Sequence, residues 1–246
     1  MNTAQRYWEI DALRGIAIIM MIVYHTIFSA VFLGILQISL RSVPMRLFLY
    51  PIGTTFLFLV GVSLTLSYNH AQKKLQDHQI MRKFFIRGAS IFSIGLGITL
   101  ITWLFIGKGF IVFGVLHCIG LSIILAYPFL KHTSLPLLLA ASIIPLGVLL
   151  RMVSWGFPWL VWLGFIPKGF STLDYFPLLP WFGVVLLGIG FGNFLYKNGK
   201  RQFTISDWSA NPVFAFLGVL GRHSLLIYIL HMPVLLAFFF FLFDLS

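Results

Sequence analysis

The chain has 246 residues, of which 59% are hydrophobic and 9% are charged, with a net charge of +11 and a mean hydropathy of +0.98. A soluble domain carries about 25% charged residues, so this composition excludes a soluble globular protein and predicts an integral membrane protein. The basic excess indicates membrane topology and contact with anionic lipid headgroups, not a nucleic-acid partner. A single cysteine, Cys118, excludes an internal disulfide and leaves a cysteine-based metal site without support.

Apolar runs of about 20 residues, the length that crosses a bilayer, recur along the chain. They predict an all-α, polytopic transmembrane helix bundle that forms one membrane domain over residues 1–246. Seven runs are predicted to span: Ile10 to Gly34, Arg46 to Tyr68, Phe84 to Ile106, Phe110 to Leu130, Leu135 to Val153, Tyr175 to Tyr196, and His223 to Phe243. Two shorter apolar pieces, Trp155 to Phe165 and Pro212 to Gly221, suit interfacial or re-entrant helices.

Loop charge predicts the orientation of these spans. Basic residues cluster between the second and third spans and before the last span: Lys73, Lys74, Arg82, Lys83, Arg87, Lys197, Lys200, Arg201 and Arg222. The positive-inside rule puts both clusters in the cytoplasm, and the four spans between them agree with that parity. The N-terminus, with Arg6, is then expected in the cytoplasm and the C-terminus outside, where Arg41 belongs to a sparser set of cations. The first span is too long for a secretory signal and is expected to stay in the mature protein.

Ionisable side chains inside a span cost about 2.5 to 3.5 kcal/mol at its centre, so each one needs a reason. In the first span, Asp11, Arg14 and His25 share one face, because Arg14 lies about 60° from Asp11 and His25 returns to within about 20° of Arg14. One interpretation of Asp11 and Arg14 is an ion pair at the helix terminus. For His25 the simplest interpretation is a neutral imidazole bonded to a neighbouring helix.

Further histidines at middle depths favour a shared polar cavity over separate hydrogen bonds. His117 lies in the fourth span, and the last span carries Ser224, Tyr228 and His231 on one face, with Arg222 and His223 at its cytoplasmic mouth. At the outer start of the sixth span stand Asp174 and Trp181. They are typical either of an aromatic interface belt with a helix cap, or of a mouth that binds an acceptor from outside.

Five polar motifs, in chain order, resemble the transmembrane acyltransferase superfamily. They are Arg6-x4-Asp11-x2-Arg14-Gly15-x-Ala17 with Tyr24-His25, the run from Phe56 to Ser63, the run from Phe113 to Gly120, Asp174 to Trp181, and Gly221 to His231. Within that superfamily the chain is similar to bacterial and archaeal relatives of the heparan-α-glucosaminide N-acetyltransferase catalytic domain. The resemblance covers nearly the whole chain.

The resemblance implies a membrane enzyme that takes an acyl group from acetyl-CoA on the cytoplasmic side and transfers it to an amine or hydroxyl acceptor, such as a sugar or glycan. A histidine is the family's catalytic residue. The heparan enzyme carries it after the first helix, where Thr26 to Arg46 contain none, so His25 is the predicted base or acyl acceptor and His117 its rival. Asp11 and Arg14 belong to the same motif. A homodimer and contacts with membrane lipids are further expectations.

The remaining candidates follow from the donor and the acceptor. The CoA phosphates need cations and hydrogen-bond donors, for which the candidates are Arg14, Arg87, Arg222, His223 and Ser224. For the acceptor they are Asp174, Trp181, Tyr228 and His231. No metal is expected, and no Gly-rich phosphate loop points to ATP or NAD. A proton-coupled small-molecule transporter is the alternative, because a histidine relay would also explain the polar groups, although no inverted repeat supports it. A non-catalytic scaffold leaves Arg14 and the histidines unexplained.

Overall fold

The computed structural model describes residues 7–40 and 42–243, so Arg6 and Arg41 lie outside the described residues. The described residues are 74% helical and contain no β-strand. This confirms the all-α class predicted from the apolar runs.

The described residues form eight α-helices. They are α1 Trp8–Phe32, α2 Val43–Gln72, α3 Asp77–Ile106, α4 Val115–Ala126, α5 Ser134–Leu150, α6 Leu178–Leu195, α7 Pro212–Arg222 and α8 Ser224–Phe243. Short 3-10 turns at Tyr127–Phe129, Pro158–Leu163 and Lys197–Gly199 complete the regular structure of the described part. The two short apolar pieces therefore differ, since one forms the helix α7 and the other only a 3-10 turn.

Five of these helices, α1, α2, α3, α6 and α8, are long and apolar enough to cross a membrane. The fourth and fifth predicted spans form shorter apolar helices. α4 begins at Val115 instead of near Phe110 because residues 107–114 pair with the segment before α6. The main-chain N–H of Leu173 donates to the oxygen of Gly109, and that of Phe176 donates to Phe113. Gly107, with a φ of 69°, ends α3 just before this stretch.

The contacts divide the chain into two compact units. Unit 1 comprises residues up to Phe56 and from Ile205 onward; unit 2 comprises Leu57–Thr204. The single membrane domain over residues 1–246 stays a prediction. In unit 1, the core formed by Ile18, Met21 and Ile52 joins α1 to the first half of α2.

Glycines let helix backbones touch in both units. In unit 1, a Cβ at Gly15 would overlap the main-chain oxygen of Leu217, and a Cβ at Gly221 would overlap that of Asp11, so α1 and α7 lie backbone to backbone. In unit 2, a Cβ at Gly88 of α3 would overlap the main-chain oxygen of Gly120 of α4, and the reverse is also true, so α3 and α4 touch through their backbones. These contacts fix where the polar residues of α1 and α4 stand.

The basic loop predicted between the second and third spans is shorter than expected. Only residues 73–76 separate α2 from α3, so Arg82, Lys83 and Arg87 stand on the first turns of α3 and are exposed. Asp77, at the start of α3, forms an ion pair of 3.3 Å with Lys131 and accepts a hydrogen bond from Tyr127 through its main-chain oxygen. The hydrogen bond to Asp77 raises the pKa of Lys131. The start of α3 is thus tied to the connection between α4 and α5.

Candidate functional site

The first polar feature of unit 1 is an ion pair near the start of α1. Nη1 of Arg14 lies 3.1 Å from Oδ1 of Asp11, and the two side chains are 25% and 13% exposed. The spacing of three residues places both groups on one helix face, and the acid stands in the first turn, where the helix dipole favours a negative charge. The helix-terminal ion pair predicted from the sequence is therefore present, and it is partly buried.

The end of α7 lies beside this pair. A Cβ at Gly221 would stand 3.2 Å from the Cβ of Arg14, so the chain continuing into Arg222 and His223 runs next to the Asp11–Arg14 pair. Arg222 and His223 are exposed and Ser224 is half-buried at the start of α8. Four of the five candidates for the CoA phosphates thus belong to unit 1, close to the contact between α1 and α7. The fifth, Arg87, is an exposed residue of α3 in unit 2.

Deeper in unit 1, two predicted site histidines meet. The ring centroids of His25 on α1 and His231 on α8 are 4.7 Å apart, with an angle of 72° between the ring planes. Tyr24 lies 5.3 Å from the ring of His25, and Tyr228 lies 5.5 Å from the ring of His231. Both tyrosines pack against the core formed by Ile18, Met21 and Ile52, so the pair has an aromatic and aliphatic surround.

Main-chain hydrogen bonds assign the tautomer of both rings. Nδ1 of His25 lies 2.9 Å from the oxygen of Met21, and Nδ1 of His231 lies 2.6 Å from the oxygen of Tyr228. A carbonyl oxygen only accepts, so each Nδ1 carries the hydrogen and donates it. In the neutral rings each Nε2 then keeps its lone pair. Nε2 of His231 is buried and has no hydrogen-bond partner among the described residues.

His117, the predicted rival of His25, has both ring nitrogens occupied. Its Nδ1 accepts from the main-chain N–H of Gly114 at 3.1 Å, which caps the start of α4. Its Nε2 lies 3.3 Å from Oγ1 of Thr99, and that hydroxyl donates onward to the oxygen of Ile111 at 2.7 Å. The ring is 2% exposed and packs against α3 at Gly95, where a Cβ would stand 3.1 Å from it. No lone pair of this imidazole is left over.

Asp174 caps α4, although it stands just before α6. Its Oδ2 accepts from the main-chain N–H of Val115 at 2.9 Å, and Thr172 bonds to the oxygen of Phe110 at 2.7 Å in the same paired segment. The cap expected from the sequence therefore exists, but for another helix. A carboxylate at a helix N-terminus stabilises the unpaired N–H groups and the positive end of the dipole.

An arginine not singled out from the sequence stands over the aromatic residues of this region. The guanidinium carbon of Arg151 lies 5.9 Å from the ring centre of Tyr175 and 5.8 Å from that of Trp181, within cation–π range. Tyr175 donates its hydroxyl to the oxygen of Val161 at 2.8 Å. Burial raises the pKa of Tyr175 to about 12, while Arg151 opposes that rise. No local sequence pattern marks this contact, because Tyr175 and Trp181 follow Arg151 by more than 20 positions.

The residues that the structure describes contain no group of three or more His, Cys, Asp or Glu side chains that could hold a metal ion.

Residues 6–233 match the family model described as heparan-alpha-glucosaminide N-acetyltransferase, catalytic. The chain belongs to this family. No curated protein and no solved structure matches the chain significantly. The heparan-alpha-glucosaminide N-acetyltransferase family is one of membrane acetyltransferases, and it implies acetyl-CoA as the donor. Together with the five long apolar helices, this makes the chain an integral membrane protein of an acetyltransferase family. The resemblance read from the five motifs is confirmed.

Proposed function

We propose that this protein transfers an acetyl group from cytoplasmic acetyl-CoA to an amine or hydroxyl acceptor, and that His25 is the general base. One observation carries the choice of base: Nδ1 of His25 donates to Met21, which leaves Nε2 as a proton acceptor. His117 offers no such atom, because Gly114 and Thr99 occupy its two nitrogens. A base must hold a lone pair within reach of the proton it takes.

The proposed step is a direct transfer of the acetyl group from sulfur to the acceptor. Nε2 of His25 removes the proton from the acceptor nitrogen or oxygen, and that atom attacks the thioester carbon of acetyl-CoA. The bond from carbon to the acceptor forms, the carbon–sulfur bond breaks, and the proton is returned to the CoA sulfur. The products are the acetylated acceptor and free CoA.

For the donor site we propose Arg14, Arg222, His223 and Ser224, which all belong to unit 1. Arg87, in unit 2, stays a separate prediction. Guanidinium groups bind phosphate through charge-assisted and often bidentate hydrogen bonds. The close contact of α1 with α7 brings Arg14 near the chain that carries Arg222, which supports a joint role. Asp11 holds Arg14 in place through its ion pair.

For the acceptor we propose the aromatic surface of Tyr175 and Trp181, with Arg151 over both rings. Aromatic faces and a few polar groups are a common way to hold sugars and amines. Asp174 enters this proposal through its position beside Tyr175. Tyr228 and His231 accompany His25 in unit 1, and we propose them as acceptor-binding residues of that unit.

Acetyl-CoA binding and turnover test the proposed function directly. The purified full chain is titrated calorimetrically with acetyl-CoA, and release of CoA thiol is followed with glucosamine as the acceptor probe. We expect the wild-type protein to bind acetyl-CoA and to release CoA thiol. Arg14→Ala and Arg222→Ala should each weaken the affinity for acetyl-CoA about 10-fold, the effect of one charge-assisted hydrogen bond. Lys168→Ala, an exposed cation outside the proposed site, is the matched control. A wild-type protein that binds no acetyl-CoA overturns the proposal and favours a transporter.

We further propose that the N-terminus is cytoplasmic and the C-terminus external, as the basic residues favour. Cysteine labelling in sealed cells tests this with a cysteine placed at Asp77. Labelling of this cysteine by an impermeant reagent from outside would show that the orientation is the reverse of the proposed one. A cysteine placed at Lys168 is the counterpart that should label from outside.

A further inference from the structure

A second histidine, His231, contacts the proposed general base His25, and the base needs no second imidazole to accept a proton. Both rings donate Nδ1–H to a carbonyl of their own helix, at Met21 and Tyr228, so both hold themselves in the same tautomer. Nε2 lies on the side of an imidazole away from Nδ1, so each Nε2 is turned away from its own helix. The ring centroids are 4.7 Å apart and the ring planes stand at 72° to each other, so the two imidazoles are in edge-to-face contact.

The lone pair on Nε2 of His231 accepts no hydrogen bond from the described residues. The residue is 8% exposed, and no donor among the described residues reaches Nε2. Buried polar atoms in proteins are nearly always hydrogen-bonded, so an acceptor left over beside a second acceptor calls for a donor. A rotation of the two touching rings that brings one Nε2 to hydrogen-bond distance of the other would let a single proton satisfy both.

Among the described residues, the side chains around the pair are aromatic and aliphatic. The titratable groups that face it are Tyr24 from α1 and Tyr228 from α8. The first half of α2 contributes Phe48, Ile52 and Phe56 to the adjoining core, and these are apolar. A shared proton would therefore be held by the imidazoles themselves.

We propose that His231 is the proton-sharing partner of His25, an inference that rests on the proposed function. The acceptor loses its proton to Nε2 of His25, and the resulting imidazolium donates that proton in a hydrogen bond to Nε2 of His231. When the carbon–sulfur bond of acetyl-CoA breaks, the pair returns the same proton to the sulfur. No proton is gained or lost over the cycle, and no oxidant or further reactant is needed. His231 thus stabilises the charged form of the base instead of touching the acetyl group.

Nitrogen NMR of the full chain in lipid nanodiscs tests the pair without any substrate. The protein is labelled with ¹⁵N-histidine, and signals are assigned with His25→Gln and His231→Gln. We expect the first proton taken up on acidification to move the Nε2 signals of both histidines together. In His231→Gln, where the amide copies the position of Nε2 but cannot take up a proton, we expect His25 to titrate alone at a changed pH. His78→Gln, an exposed histidine on α3, should leave both signals unchanged.

Turnover supplies the second readout. We expect His231→Gln to lower kcat about 10-fold with the KM for acetyl-CoA unchanged, less than loss of the base itself. The double variant His25→Ala/His231→Gln should be no slower than His25→Ala, because the partner has nothing to share once the base is gone. A merely structural His231 would cost the same factor in both backgrounds and would lower the unfolding temperature.

Independent titration of the two histidines, or equal kcat losses in the two backgrounds, would overturn the proposal. If His231→Gln does not fold, His25→Gln gives the same information from the signal of His231. If the wild-type protein releases no CoA thiol, the proposed function fails, and the NMR experiment still decides whether the pair shares a proton.

Discussion

His117 in unit 2 and the pair His25–His231 in unit 1 use the same side chain in opposite ways. His117 accepts from Gly114 and lies against the hydroxyl of Thr99, so the imidazole closes the start of α4 and joins it to α3. His25 and His231 each satisfy only Nδ1, through a carbonyl one turn earlier on their own helix. An imidazole with both nitrogens bonded holds structure together, whereas one with a lone pair left over is available for chemistry.

The largest effect that this comparison predicts is on turnover. We expect His25→Ala to lower kcat by about 10²-fold or more while acetyl-CoA affinity is kept, since a general base contributes at least that much. His117→Ala should keep kcat within about threefold per folded molecule and should instead lower the unfolding free energy by about 2 kcal/mol, because it removes a cap and leaves buried groups unpaired. CoA thiol release and thermal unfolding measure the two effects.

Asparagine variants sharpen the same comparison. The amide of Asn stands where Nδ1 stands in histidine, so His117→Asn keeps an acceptor for the Gly114 N–H and should recover most of the lost stability. His25→Asn keeps the bond to Met21 but has no group at the position of Nε2, so it should stay as inactive as His25→Ala. Near-normal turnover in either variant at position 25 would remove His25 as the base, and loss of turnover at His117 alone would transfer the role.

The second effect concerns the backbone contact between α1 and α7, which stabilises unit 1. Gly221→Ala places a methyl group against the main-chain oxygen of Asp11, so α7 must move away from α1. We expect a loss of about 1 to 3 kcal/mol in unfolding free energy, the usual cost of overpacking, together with weaker acetyl-CoA binding. Chemical or thermal unfolding in detergent measures the first and calorimetry the second.

Gly97→Ala is the matched control for that variant. Gly97 is also a helical glycine, but a Cβ there meets nothing within 4 Å. Alanine is favoured over glycine inside a helix by about 0.5 to 1 kcal/mol, so this variant should be neutral or more stable. A Gly221→Ala protein as stable as Gly97→Ala would show that the contact between α1 and α7 does not constrain unit 1.

Helical periodicity predicted what lies on one face of one helix. Asp11, Arg14 and His25 on α1, and Tyr228 with His231 on α8, follow from a rotation of 100° per residue, and the ion pair and ring contacts agree. Periodicity does not say which helix faces which. The sequence grouped three histidines, but only the structure identifies the close contact of His25 with His231 and the separate hydrogen bonds of His117.

Contacts between loops that are far apart in the chain could not be predicted from the sequence either. Residues 110 to 114 are apolar enough to continue a span, and nothing local marks their pairing with residues 172 to 176. Asp174 caps a helix that begins 59 positions earlier, so no capping pattern of neighbouring residues reveals it. Arg151 stands over Tyr175 and Trp181 for the same reason, since its partners are supplied by a segment more than 20 positions away.

The smallest expected effect concerns Asp174 and asks whether unit 2 contains a binding group or a structural one. Asp174→Asn keeps an oxygen for the N–H of Val115 but removes the negative charge at the start of α4. If the carboxylate acts through α4, the unfolding free energy should fall by about 0.3 to 1 kcal/mol, the value of a charge at a helix terminus, and kcat and the KM for glucosamine should stay within about twofold. Asp207→Asn is the control, because Asp207 likewise accepts from a main-chain N–H, that of Ser209, but in an exposed loop. A rise of 10-fold or more in the KM for glucosamine with stability unchanged would instead make Asp174 an acceptor-binding residue. Unit 2 would then hold a recognition group beside a histidine that only supports the fold.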